Sequence, residues 1–238
     1  MLRACCLAGK ISCASRGQRA AGLASPASRA HTATSRRGIL LGTAAAFSRT
    51  KRSRAEEAMA PIPTEYLPKL VAFDLDSTLW YPEMYMLSGA PFKKDAKGAV
   101  FDRRGEQVEL LGASAAILKE LATDPKWKDT QVAYVSRTEY PEWAIPCMKL
   151  FDIAPGKTMF SLSSYNEIHE CSKKYHFKNI HRASGIDYED MIFFDNERYN
   201  CTDCQTLGIT CIYTPDGMTS SNWAEGLAKH AQKVAKRS

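Results

Sequence analysis

Asp74 and Asp76 stand two residues apart at the end of an apolar run, in Lys69-Leu-Val-Ala-Phe-Asp-Leu-Asp-Ser-Thr-Leu-Trp80, with Thr78 next in the same alternation. Alternate side chains of an extended backbone share a face, so the two carboxylates point the same way if the strand runs through them. Carboxylates crowded in this way repel unless a cation or a shared proton lies between them. A hard cation that takes oxygen ligands, such as Mg²⁺, suits the pair. The plainer alternative is a strand end carrying two solvated acids. Leu70 to Phe73 is too short for a typical helix and is bounded by Pro68 and a polar cluster, so it reads as a buried parallel strand. The carboxyl edge of such a sheet is where open α/β folds bind ligands.

Other residues further along fit the same chemistry. Thr130 to Val135 is a second apolar strand ending at Ser136-Arg137-Thr138. A hydroxyl there either donates to a phosphoryl oxygen or caps the helix that follows. Asn166 to Phe177 contains Lys173 and Lys174, each either a cation for screening an anionic reactant or a surface lysine. Met191 to Phe194 is a third strongly apolar strand, and Asp195 and Asn196 at its end offer acid and amide oxygens that complete an oxygen cage.

These residues need a frame. Ala113 to Ala122 has strong helix formers with an apolar stripe at Ile117, Leu118 and Leu121, and Pro125 stops it. Pro141 and Pro146 make any helix over 139–152 short or kinked. Thr158 to Leu162 reads as a weak strand, Ile209 to Tyr213 after Gly208 as a last buried one, and Asn222 to Lys236 as an amphipathic closing helix. Between them, Gly and charge clusters over about 81–110 predict a small hairpin-like insert directly after the Asp pair. It sets Arg103 and Arg104 either over an anionic substrate or in a solvated turn.

The 238 residues, 45% of them hydrophobic, suffice for one α/β core with length to spare. The formal charge of +6 is unevenly spread. Residues 1–54 hold eleven Lys or Arg and no acid; with Glu56 and Glu57, residues 1–60 carry +9, which leaves −3 on 61–238. The folded part therefore has no basic excess, which argues against a nucleic-acid partner. The first 60 residues, rich in Ala, Ser, Arg and Gly, look like an organellar transit peptide. Arg36-Arg37 before Gly38 to Phe47, with Ala58-Met-Ala60 downstream, also fits a twin-arginine signal. Plastid import is the expectation, with mitochondrion or cytoplasm as alternatives. That apolar run is too short to span a bilayer, so no transmembrane segment is expected. Five of the eight cysteines lie beyond the presequence, without secreted-domain spacing, and are expected reduced; Cys201 and Cys204 are a redox or metal pair or ordinary thiols on a helix.

The order Asp-x-Asp-x-Thr, Ser, Lys, Asp-Asn resembles the signature of haloacid dehalogenase superfamily phosphatases. Within it, the chain resembles the eukaryotic magnesium-dependent phosphatase-1 family. The resemblance rests on Leu67-Pro-Lys-Leu, Phe73-Asp-Leu-Asp-x-Thr-Leu-Trp80, Asp102-Arg-Arg-Gly105, Ser136-Arg-Thr138, Lys173-x-x-His-Phe177, Met191-Ile-Phe-Phe-Asp195 and Gly208-Ile-Thr-Cys-Ile212. It covers about 61–238 and selects Lys173 over Lys174. It implies a three-layer Rossmann-like fold with a mostly parallel central sheet and a small cap, and a Mg²⁺-dependent phosphomonoester hydrolase, by expectation a monomer. Asp74 would be the nucleophile and Asp76 the general acid/base; Ser136, Arg137 and Lys173 would bind the transferring group, and Asp74, Asp76, Asp195 and Asn196 the metal. The implied substrates are phosphorylated small molecules such as sugar phosphates, or phosphoproteins carrying phosphotyrosine. The alternative is a non-catalytic phospho-ligand or partner-binding module on the same fold. Two departures stand out: residues 152–163 are longer than the usual connection, and Asn196 replaces the family's second acid, as in relatives that dephosphorylate a polymerase tail.

Overall fold

The computed structural model describes residues 62–237. The expected transit peptide lies outside the described residues. A central sheet of five parallel strands comprises β1 (Leu70–Phe73), β6 (Gln131–Ser136), β9 (Tyr165–Ile168), β10 (Met191–Asp195) and β11 (Thr210–Tyr213), in the order β11-β10-β1-β6-β9. Strand β1, whose four residues are all fully buried, is central. The chain leaves β1 towards β6 and β9, then returns to the other side of β1 for β10 and β11. The crevice between β1 and β10 is thus the switch point where open α/β sheets take their ligands.

Alternation along β1 divides the core. Val71 and Phe73 face a layer made by α1 (Ser114–Thr123), α2 (Pro141–Met148) and α6 (Ser220–Ala235), through Ile117, Leu118, Met148 and Trp223. Leu70 and Ala72 face α4 (Lys173–Ser184) and α5 (Arg198–Gln205), through Phe177, Ile180, Cys201 and Cys204. Burial on both faces explains why β1 and β10 are continuous apolar runs rather than alternating ones. On α6, Gly226 lets the helix lie flat on the sheet: a Cβ there would stand 2.7 Å from the Phe194 ring.

Residues 80–110 form the expected small insert, an antiparallel sheet of β2 (Trp80–Tyr81), β3 (Lys93–Lys94), β4 (Val100–Phe101) and β5 (Gln107–Leu110) in the order β2-β5-β4-β3. Gly89, at φ +93°, is pressed against the Trp143 ring, which a Cβ would meet at 2.4 Å, so the insert is anchored on α2.

One expected strand is corrected. Thr158 to Leu162 is not a strand: β7 (Asp152–Ala154) and β8 (Lys157–Thr158) make a tight two-stranded ribbon, and α3 (Met159–Leu162) is a single helical turn. Thr158 caps that turn, accepting from the Ser161 amide at 3.2 Å while Ser161 Oγ accepts from the Thr158 amide at 2.9 Å. This reciprocal capping box outweighs the β propensity of the segment. The fifth strand of the main sheet comes instead from Tyr165–Ile168, whose exposed edge leaves it polar.

Candidate active site

The register of the sheet brings the chemistry together. Phe73 pairs with Phe194 on one side and Tyr134 on the other, so Asp74 leaves β1 level with Asp195 and Val135. The Asp74 amide still donates to Phe194 O at 2.9 Å, which keeps the first carboxylate in the sheet. Beyond it the backbone turns back sharply: the amides of Thr78, Leu79 and Trp80 all donate to Leu75 O, and Ser77 takes φ +56°. A left-handed serine is strained by roughly 1–2 kcal/mol, and here it turns Asp76 towards the crevice.

An open cavity of about 420 Å³ lies over this edge, and its walls include Asp74, Asp76, Arg137, Lys173 and Asn196. Tyr85, Tyr140 and Tyr199 line it as well, together with Glu83, Glu139 and Glu197. Lys173 opens α4, whose Ser172 cap accepts from the Tyr175 amide. Its ammonium is 2% exposed and donates to Asp74 Oδ1 at 2.5 Å and to Val135 O at 2.5 Å, with Asp195 Oδ2 at 3.3 Å. Burial alone would lower its pKa, but the charges of Asp74 and Asp195 outweigh this and raise it, so it stays an ammonium. Lys174 turns outwards, 3.7 Å from Asp203.

The acids are short of positive charge. Burial lifts the Asp76 pKa to about 7; the Trp80 indole N–H, donating at 2.7 Å, opposes the rise and the Asp74 charge adds to it. Burial and Asp74 likewise push Asp195 up, against Lys173. Thr78 ties the set together: its hydroxyl accepts from the Asn196 amide at 3.0 Å and lies 3.3 Å from Asn196 Oδ1 and 3.5 Å from Asp74 Oδ2. An all-oxygen donor set in which burial pushes Asp76 and Asp195 up fits a hard divalent cation such as Mg²⁺. Asp74, Asp76 and Asn196 face the cavity, with Asp195 behind them.

Two expected residues stand back from the cavity wall. Ser136, 1% exposed, accepts from the Thr138 amide at 3.2 Å and so shapes the loop carrying Arg137 and Thr138. Asp195, fully buried, is clasped by the Asn200 amide at 3.2 and 3.0 Å and by the Glu197 backbone N–H at 2.7 Å. Arg137 is exposed and hydrogen bonded to the Tyr199 hydroxyl. Arg103 and Arg104 do not line this cavity; Arg104 borders a separate depression with Tyr81 and Met86. Cys201 and Cys204 are free thiols buried on α5, pushed up to about 12 by burial and the Asp195 charge, which makes them inert packing residues.

Sequence reasoning missed Asn200, Trp80 as the holder of Asp76, and the three tyrosines. Asn200 had a signal: a helix starting just after Asp195 returns its first turn over the strand end. The tyrosines had none, since they come from three distant segments.

Fold and site together present a carboxylate pair at a sheet's switch point, open to an anionic ligand and a hard cation. A family model described as acid phosphatase matches residues 66–233. Magnesium-dependent phosphatase 1 of Homo sapiens is 37% identical over 166 residues, 70% of this chain and 89% of that protein. A haloacid dehalogenase-like hydrolase superfamily protein of Schizosaccharomyces pombe is 34% identical over 150 residues, 61% of this chain and 84% of its own. The chain belongs to the acid phosphatase family, within the haloacid dehalogenase-like hydrolase superfamily.

Proposed function

We propose that this magnesium-dependent phosphatase hydrolyses phosphomonoesters in two steps, through an aspartyl-phosphate on Asp74. The observation that carries the reading is the Asp74–Lys173–Asp195 cluster, which holds one carboxylate oxygen of Asp74 at an ammonium and leaves the carboxylate facing an open cavity. Asp74 attacks phosphorus and the ester oxygen departs with a proton from Asp76, which the Trp80 indole N–H holds in place at 2.7 Å. Asp76 then takes a proton from water as that water attacks phosphorus and releases Asp74. Lys173 and the backbone of the Arg137–Thr138 loop neutralise charge on the transferring group, Ser136 holding that loop in shape. Asp74, Asp76, Asn196 and Asp195 would hold Mg²⁺, which would supply charge neutralisation for the nucleophile and the phosphate.

The leaving group is read as an aryl phosphate of the phosphotyrosine type or a sugar phosphate, because the cavity is open and rimmed by tyrosines while the cap is only a small sheet. The test is phosphate release from phosphotyrosyl peptides and sugar phosphates with Mg²⁺, combined with acid trapping of a covalent phosphoenzyme. A wild-type protein that turns over without any trappable acyl phosphate, and does not bind beryllium fluoride with Mg²⁺, defeats the covalent reading.

We further propose import into a plastid with removal of the first 60 or so residues, resting on their acid-free, Arg- and Ser-rich composition. Protein recovered from the organelle is then expected to start between about 50 and 62, and an intact Met1 there would refute it. Among the described residues no helix is long and apolar enough to cross a membrane.

A further inference from the structure

Beyond the carboxylate edge, Glu167, His169 and His176 gather at the end of β9 and the second turn of α4, with one potential ligand atom of each within 4.8 Å of the others. The His169 and His176 rings meet edge to face, centroids 4.4 Å apart. His169 Nε2 lies 3.0 Å from Glu167 Oε2, and the Asn179 amide donates to that same oxygen at 2.9 Å.

His176 distinguishes this cluster from an ordinary surface pair. The ring is fully buried, and its Nε2 lies 3.1 Å from His169 O. A carbonyl can only accept, so Nε2 carries the hydrogen and, in the neutral ring, Nδ1 keeps its lone pair. Burial, aided by the neighbouring His169 and Lys173 charges, holds the ring neutral, with a pKa lowered to about 3. Nδ1 is buried and has no hydrogen-bond partner. A buried imidazole with one nitrogen donating to a backbone carbonyl and the other left as a bare lone pair is the arrangement that metal-ligating histidines use.

We propose that Glu167, His169 and His176 form a second cation site, separate from the oxygen cage, that takes a zinc-class divalent transition metal. Two imidazoles and a carboxylate suit Zn²⁺ or Co²⁺ and not Mg²⁺, which prefers an all-oxygen octahedron. Ligand atoms on a tetrahedral zinc lie about 3.3 Å apart, from the ~2.0–2.1 Å bond lengths. The set, now within 4.8 Å, contracts to that spacing on binding, and His169, with 43% of its side chain exposed, has room to move. No fourth protein ligand is needed, since water fills the open position.

The site's location gives it a task. The His169 amide donates to Ser136 O at 3.1 Å, and His176 lies one turn after Lys173 on the same helix. A metal bridging them clamps the 169–172 loop to α4 and steadies the helix start that presents Lys173 to Asp74. Its effect is on stability and on the placing of Lys173, not on the reacting atoms.

The test uses the untagged full chain saturated with Mg²⁺ and titrated with Co²⁺, whose visible d–d absorption reports nitrogen-rich coordination, followed by Zn²⁺ competition. One equivalent of Co²⁺ is expected to give the band, and Zn²⁺ to abolish it and raise the melting temperature. His169→Gln should weaken Co²⁺ binding by at least about 100-fold, and Glu167→Gln by less, both with Mg²⁺-dependent turnover unchanged when no Co²⁺ or Zn²⁺ is added and the second site is empty. Both residues are partly exposed, so these variants fold even if a His176 replacement does not. Asp74→Asn should keep the band. The proposal is overturned if no band forms, if it survives His169→Gln, or if it disappears with Asp74→Asn or with Cys201→Ser/Cys204→Ser, because the metal then sits at the carboxylate edge or on thiolates.

Discussion

Two regions of this protein bury aspartates, and they treat them in opposite ways. In the insert, Asp102 is 3% exposed, and its carboxylate accepts three backbone N–H groups, from Ser88 at 2.7 Å, Arg104 at 2.8 Å and Glu106 at 2.9 Å. Burial tends to raise its pKa, but those amides outweigh it and hold the carboxyl below the usual range. At the carboxyl edge of the main sheet, Asp74 and Asp195 share the one ammonium of Lys173, and Asp76 and Asp195 are both pushed upwards. A structural carboxylate is fully satisfied by dipoles that the fold makes anyway. The carboxylates at the sheet edge are left wanting positive charge, which a bound cation supplies.

The sharpest way to break this comparison is at Asp74. Uncatalysed phosphate-monoester hydrolysis is so slow that enzymes accelerate it by as much as ~10²¹-fold, so on the proposed mechanism the loss of Asp74 cannot be masked. Asp74→Asn is expected to fold, to lose all measurable turnover and to form no phosphoenzyme. Because it removes one of two acids crowding Lys173, its melting temperature should hold or rise, whereas a purely structural role for Asp74 predicts a fall. Asp76→Asn should lower turnover by roughly 10²–10⁴-fold. It should nonetheless still build trappable phosphoenzyme from an ester with a good leaving group, since only proton transfer is impaired.

Lys173→Met comes next, with turnover down about 10²–10³-fold. It should also lower stability, since Asp195 is then buried without its cation. Lys174→Met should change neither, because its ammonium meets only the half-exposed Asp203. The reverse pattern would show that α4 begins one residue away from where the Ser172 cap sets it. Asn200→Ala, which frees Asp195 to turn, is expected to weaken Mg²⁺ binding by about 10–100-fold, read as a raised Mg²⁺ requirement for turnover.

The same contrast explains what the sequence could disclose. Asp74, Asp76, Ser136, Asp195 and Asn196 were legible because each ends or follows an apolar strand, and parallel register brings strand ends level without further information. The residues alone did not choose Lys173 over Lys174. That choice depends on where α4 starts, and a shift of one residue turns a helical side chain by about 100°. Thr158 to Leu162 was misread because a capping box, a local hydrogen-bond exchange, decided against an apolar pattern that a strand also fits. The fifth strand was missed because Tyr165–Ile168 is an edge strand with Asn166 exposed, so its periodicity is faint. Asp102 was quoted only for the arginines beside it, because three amides from Ser88, Arg104 and Glu106 converge on it only after the insert has folded.

The smallest expected effect lies at that residue and tests the quiet half of the comparison. Asp102→Asn keeps the shape but replaces one acceptor oxygen by an amide that faces N–H groups. Hydrogen bonds to charged groups contribute roughly 1.5–3 kcal/mol each in favourable cases, so a net loss of about 2 kcal/mol, confined largely to the insert, is the expectation. Turnover of a small phosphate ester should survive, since Asp102 does not line the main cavity. The pH dependence gives the sign. The folded pKa of Asp102 is depressed below an unfolded value of about 3.9, so its contribution is fully present above that value and is lost as the pH falls through the folded pKa. The melting-temperature gap between wild type and Asp102→Asn should therefore be constant from neutral pH down to about 5 and shrink only below about 4. If the wild type instead gains stability relative to the variant as the pH falls through about 7, Asp102 is charge-starved like Asp76, and the division between the two kinds of carboxylate fails.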